Sequence, residues 1–179
     1  MEIEVEISDT QNHLRVDREK LAGLVRRVLD REGYRRGSIS IALVDQATIQ
    51  ALNRAHLGHD WPTDVISFPL SHPDDPDLAG ELVVSAEMAL TTAVEIGVEP
   101  AHELALYLVH GLLHLCGYDD RAEPDAGRMR RREEEVLADL GIPNPFHRVG
   151  PNLAAGVLPG GTAVPPARRT HPEPSEILP

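Results

Sequence analysis

Residues 2 to 7 alternate acid with hydrophobe, placing Ile3, Val5 and Ile7 on one side of an extended chain, which predicts a first strand with one buried face. After Asp17, which stands where an N-cap belongs, Leu21, Leu24, Val25, Val28 and Leu29 recur at the spacing of an amphipathic helix until Gly33 stops the pattern. Alternation returns from Ser38 to Val44, with Ile39, Ile41 and Leu43 to one side, and a shorter helix is expected from Gln46 to Leu57, ending at Gly58. Thr63 to Pro69 has the β-branched and aromatic content of a strand, Ser71 to Ala79 reads as a Pro/Asp loop, and Glu81 to Val84 resumes a strand. Ser85 can cap a helix that runs to Gly97, and Pro100 opens the next, since a first helical turn tolerates proline. From there to Cys116 the chain is apolar nearly all round, through Leu104, Leu106, Leu108, Val109, Leu112, Leu113 and Leu115, so this helix is expected to be buried. Gly117 ends it. A last helix, from Pro124 to Leu140, turns Met129, Val136, Leu137 and Leu140 inward and stops at Gly141 and Pro143.

Strands and helices are intermixed without a regular βαβα alternation, which points to the α+β class: one domain with a mixed sheet of about four strands, packed with about five helices around the buried one. The 179 residues, 41 % of them apolar, can build one such core. The domain is expected to occupy residues 1–142. Residues 143–179, rich in Pro, Gly and Ala and poor in periodic hydrophobicity, read as a flexible tail. No stretch approaches the roughly 18 apolar residues of a membrane span, and the N-terminus lacks the basic start and apolar block of an export signal. The single cysteine, Cys116, rules out an internal disulfide and fits a reducing compartment; it is read as a small core residue, and the cytoplasm is the expected location.

The formal net charge of −12 argues against a broad basic surface for gripping nucleic acid. Arginine is nonetheless clustered, at Arg26, Arg27, Arg31, Arg35 and Arg36 and again at Arg128, Arg130, Arg131 and Arg132. Such groups suit phosphate, or they are solvated helix faces.

His110 and His114, four apart on the buried helix, stand on one face a turn apart and can reach one metal ion. In a chain with 9 histidines that spacing arises readily by chance, so context must carry it. Two imidazoles on an apolar helix are costly to bury without partners, and the Gly117 turn brings Asp119 and Asp120 back toward the helix end. Metal ligands and satisfied core histidines both remain open readings at this level. Gly111 follows His110 where a His-Glu-x-x-His metalloprotease would carry its glutamate base, which makes a peptidase the weaker enzyme class.

The run His110-Gly-Leu-Leu-His-Leu-Cys-Gly-Tyr-Asp-Asp120 resembles the signature of the YbeY family, as do Leu52-Asn53 and the segment Pro62-Thr-Asp-Val-Ile-Ser-Phe-Pro69. Gly80-Glu81 stands where that family has Gly-Asp, and Met129 with Glu133 fits its closing helix; the resemblance covers residues 1 to 142. It implies a metal-dependent endoribonuclease directed at single strands, acting with the ribosome in ribosomal RNA maturation, near the 3′ end of the small-subunit RNA. It further implies one zinc ion on His110, His114 and the third position, where Asp120 replaces the family histidine, and an arginine where this chain has Leu57. Aspartate can ligate zinc, although it is shorter than histidine and adds negative charge. Arg54, a turn before Leu57, is the candidate substitute for the guanidinium; Glu81 and Asp119 are candidate proton acceptors; Asp64, Ser67 and Phe68 are candidates to line the substrate groove. Beside the nuclease stands a second expectation, a ribosome-associated metal protein without turnover, and behind it a metallopeptidase.

Overall fold

The computed structural model describes residues 2–72 and 74–143. The tail expected from residue 143 onward therefore lies, Pro143 apart, outside the described residues. In chain order the elements are β1 (Glu2–Asp9), α1 (Arg18–Arg31), β2 (Arg36–Val44), α2 (Gln46–Leu57), β3 (Val65–Pro69), β4 (Leu78–Ser85), α3 (Ala86–Ile96), α4 (Pro100–Leu115) and α5 (Asp125–Asp139). Local chemistry fixes the starts of the first three helices. Asp17, Asp45 and Ser85 each accept a backbone N–H of the first turn, from Lys20 at 3.1 Å, Thr48 at 2.8 Å and Met88 at 3.2 Å. Gly58 and Gly97 close α2 and α3 in the left-handed conformation, which costs glycine nothing.

The strands form one mixed sheet in the order β1-β2-β4-β3, with β1, β2 and β4 parallel and β3 antiparallel on the edge. Because side chains alternate along a strand, Ile39, Ile41, Leu43, Leu82 and Val84 face one side and join the main core with α1 and α4. Val83 and Ile66 face the other side, where a small cluster with Val44 and Ile49 seats α2. Nearly every residue of α4 is buried, as its all-round apolar sequence predicts, and α3 and α5 pack on it.

Two readings change in the structure. Strand β4 begins at Leu78 rather than Glu81, because Leu78, Ala79 and Gly80 pair with Gly37, Ser38 and Ile39 of β2, a pairing that no local alternation announces. Cys116 caps the end of α4 and is only half-buried, packed against the core margin; burial pushes its thiol up to about 12.

Candidate metal centre

The buried face of α4 would exclude polar side chains were its histidines not supplied with partners. His110, whose side chain is 5 % exposed, sets Nδ1 2.5 Å from the Glu133 carboxylate of α5. His114 sets Nδ1 3.0 Å from the carbonyl of Tyr118. Both acceptors lack hydrogens of their own when Glu133 is ionised, so each ring donates from Nδ1 and keeps its Nε2 lone pair. The two Nε2 atoms nonetheless face each other at 3.1 Å, and the Asp120 carboxylate stands 3.7 Å from each. Three lone-pair donors converging without a proton among them repel one another and suit a cation. Ligand atoms around a tetrahedral zinc with bonds of about 2.0–2.1 Å stand roughly 3.3 Å apart; here one atom from each residue lies within 4.8 Å of the others, the two 3.7 Å contacts being made by different oxygens of Asp120. His110, His114 and Asp120 could thus hold one metal ion between them.

Backbone geometry delivers the third member. Gly117 adopts φ +91°, its N–H donates to the His114 carbonyl at 3.0 Å, and the Tyr118 N–H donates to Leu113 at 3.0 Å. This close of the helix reverses the chain so that Asp120 returns over the histidines. The turn is clamped beyond the site as well. Glu32 at the end of α1 accepts from the Tyr118 hydroxyl at 3.1 Å and from Arg132 Nε at 2.7 Å.

Gly111 answers a different demand. A Cβ there would lie 2.9 Å from both Leu82 Cδ2 and Val65 Cγ2, so only glycine lets α4 approach β3 and β4 this closely. Ser67 Oγ donates to the Gly111 carbonyl at 3.2 Å, fastening the edge strand to the helix next to His110.

The other sequence candidates are distributed unevenly. Ser67 faces α4, whereas Phe68 turns to the α2 side and meets His56 edge-on at 5.7 Å. Glu81 shares the α2 face with Val83, opposite the helix that carries the histidines. Asp64 secures the entry to β3, accepting from the Val65 N–H at 3.0 Å and the Thr63 hydroxyl at 3.1 Å. Asp119 pairs with Arg121 Nε at 3.0 Å, and that hydrogen bond holds its carboxyl below the usual range. Arg54 reaches Asp60 at 3.5 Å on the outer side of α2. Leu57 is 49 % exposed. Six of the nine clustered arginines meet acids: Arg31 with Asp139, Arg35 with Asp30, Arg36 with Asp77, Arg128 with Asp125, Arg130 with Glu123 and Arg132 with Glu32 and Glu135; Arg26 and Arg27 donate to the backbone carbonyls of Ile3 and Asp139.

Glu133 has no role in the sequence reading beyond its fit to the closing helix. Its signal lay in position: four residues after Met129 and three before Val136, it interrupts the inward stripe of α5 with a charge, and a buried acid there requires a partner.

A family model described as Endoribonuclease YbeY matches residues 6–141. The chain belongs to the YbeY family of endoribonucleases. An Endoribonuclease YbeY of Carboxydothermus hydrogenoformans is 42 % identical over 140 residues, covering 76 % of this chain and 97 % of that one. Its counterpart from Pelotomaculum thermopropionicum is 41 % identical over 147 residues, with 76 % and 96 % covered. The solution structure of a Thermotoga maritima protein superposes with a TM-score of 0.52 at 26 % identity, covering 76 % of this chain and 91 % of that one. Membership carries the activity class, an endonucleolytic hydrolase, and accounts for the signature around His110. Asp120, Leu57 and Glu81 are positions at which the chain departs from the pattern that resemblance leads one to expect. No helix among the described residues is long and apolar enough to cross a membrane.

Proposed function

We propose that this YbeY chain is a zinc-dependent endoribonuclease that cuts single-stranded RNA in the cytoplasm, acting with the ribosome on ribosomal RNA near the small-subunit 3′ end and in ribosome quality control. The observation that carries the reading is the convergence of two Nε2 atoms and one carboxylate, with each Nδ1 turned to an acceptor behind it, the Glu133 carboxylate and the Tyr118 carbonyl. A divalent ion held by His110, His114 and Asp120 would supply Lewis acidity toward a phosphoryl oxygen and toward water. The chain's own residues do the rest. Glu133 keeps the His110 ring oriented, and Asp120 adds a negative charge that a family histidine would lack. For contact with substrate the candidates are Ser67, which faces α4, Asp64 at the entry of its strand, and Phe68, which lies on the α2 side. Among proton acceptors, Asp119 is weakened by Arg121 and Glu81 lies on the far face, so Asp119 is the nearer candidate in sequence and the poorer base in chemistry.

Metal content and cleavage decide the matter together. The purified protein should carry one zinc ion per chain and cut single-stranded RNA in preference to duplex. Chelation or His114→Ala should abolish both, with the rate falling by about 10³-fold or more, since the metal's contribution is several kcal/mol. A fully metallated protein that cuts no RNA would transfer the proposal to the second reading, a ribosome-associated metal protein. That reading is favoured by Leu57, which offers no guanidinium to a phosphate. The peptidase reading has no room for its base, because a side chain at Gly111 would run into Val65 and Leu82.

A further inference from the structure

Outside the metal centre, the exposed large hydrophobic side chains are not scattered evenly. Leu57 (49 % exposed) and Trp61 (46 %) lie on either side of the turn between α2 and β3, and Leu70 (68 %) follows just after β3. This turn is built, not loose. Gln50 donates to Asp60 Oδ1 at 3.1 Å, the buried Asn53 donates from Nδ2 to the Trp61 carbonyl at 2.8 Å, and Arg54 meets Asp60. Residues 50, 53, 54 and 57 share one helical face, so the turn folds back along the stripe of α2 that ends in Leu57. The His59 ring lies against the Trp61 indole with centroids 4.4 Å apart and planes 34° apart, and the His56–Phe68 pair sits at the base of the same segment.

We infer that Leu57, His59 and Trp61 form a platform on which unpaired nucleobases of the RNA substrate stack before the strand passes along β3 to the His110 cluster. The inference rests on the endoribonuclease reading for the identity of the ligand and adds a place and a chemistry of binding. Two observations support an RNA strand as the occupant. With a net charge of −12 and most clustered arginines paired with acids, phosphate contacts can supply little affinity, and base stacking is the other sequence-tolerant source of it. The platform is continuous with β3, whose Val65 and Ser67 abut α4 at Gly111, next to a metal-cluster histidine. A second copy of the chain fits less well, because three exposed apolar side chains fall short of the roughly 800 Å² per partner of a stable interface.

Trp61 is the only tryptophan, so its emission reports this platform alone. The full-length, metal-loaded protein should be titrated with a short single-stranded RNA carrying 2′-O-methyl riboses, and with a blunt duplex of the same sequence. Single strands should quench the emission saturably and continue to do so as salt is raised; the duplex should not. In cleavage assays Trp61→Ala should raise KM for single-stranded RNA on the order of tenfold, with the effect falling mainly on KM, and Trp61→Phe should recover most of it. Val94→Ala, which trims an exposed apolar side chain on α3, serves as the control for general surface effects. Parental KM in Trp61→Ala, or absence of quenching in a protein that cuts RNA normally, overturns the platform. So does a change in self-association of Trp61→Ala with RNA affinity intact. Quenching without cleavage supports the platform and tells against the nuclease reading, so the two fail separately.

Discussion

The two faces of the sheet are furnished differently. On the α4 side the core is deep: Leu82, Val84, Leu108 and Leu112 are fully buried, Gly111 is pressed against two strands, and each metal-cluster histidine has its second nitrogen assigned. On the α2 side a small cluster holds the helix through Ile49, Val83 and Ile66, and its far end leaves Leu57 and Trp61 open to solvent. A face packed to the density of an organic solid can hold atoms to fractions of an ångström, which metal chemistry requires. A thinly covered face can accept ligands of varied shape. The two positions marked by the resemblance are set differently against this contrast: Asp120 stands on the turn that follows α4, beside the buried His110, while Leu57 lies exposed at the end of α2.

Leu57→Arg tests the largest difference between the faces. Since Leu57 is half exposed, the new guanidinium enters water and not a core, so the fold should tolerate it. If the lost arginine limited turnover, cleavage should rise by on the order of 10²-fold. A stable, metallated variant with parental turnover would assign the face to binding alone. On the precise face, Glu133→Gln keeps the shape of the partner but removes its charge from behind His110. Zinc affinity, read by competition with a chromogenic chelator, should fall about 10- to 100-fold, with melting of the metal-free protein changed far less. Gly111→Ala forces two strands away from α4 and should cost about 1–3 kcal/mol, measured by denaturant unfolding, with weaker metal retention in step. An alanine tolerated within error would mean that the two faces do not differ in packing as described. The smallest effect belongs to Asp119→Asn. Asp119 is depressed by Arg121, so its stabilisation is present above its unfolded pKa of about 4 and is lost as pH falls through the lower folded value. It is largely solvent-screened, so parent and variant should differ by no more than about 1 kcal/mol at neutral pH and converge in strong acid.

Periodicity and end signals made the local elements legible. Asp17 and Ser85 cap where their spacing implies, Gly58, Gly97 and Gly117 stop helices, and the all-apolar run from Leu104 to Leu115 is buried. That His110 and His114 share one side was legible because a helix places residues four apart on one face, while the candidate ligand set with Asp120 came from the family resemblance and not from the spacing. Long-range relations were not. Nothing local distinguishes a parallel β2–β4 pairing, which begins at Leu78 inside an apparent loop, or assigns Glu81 to the face away from the histidines. The same holds for Glu133, whose partner lies 23 residues earlier, and for Arg31 and Arg132, which reach Asp139 and Glu32 across the chain.

The reach from His110 to Glu133 also orders events during synthesis. A nascent chain that has emerged only through Asp120 already carries both histidines and the aspartate, yet α5, with the carboxylate that orients His110 and the Arg132 that grips Glu32, is still to come. Chains lengthen at about 5–20 residues per second, so for an interval of seconds the ligands exist without the scaffold that aligns them. Any role of the cluster that depends on the orientation of His110 therefore waits for the last helix to dock.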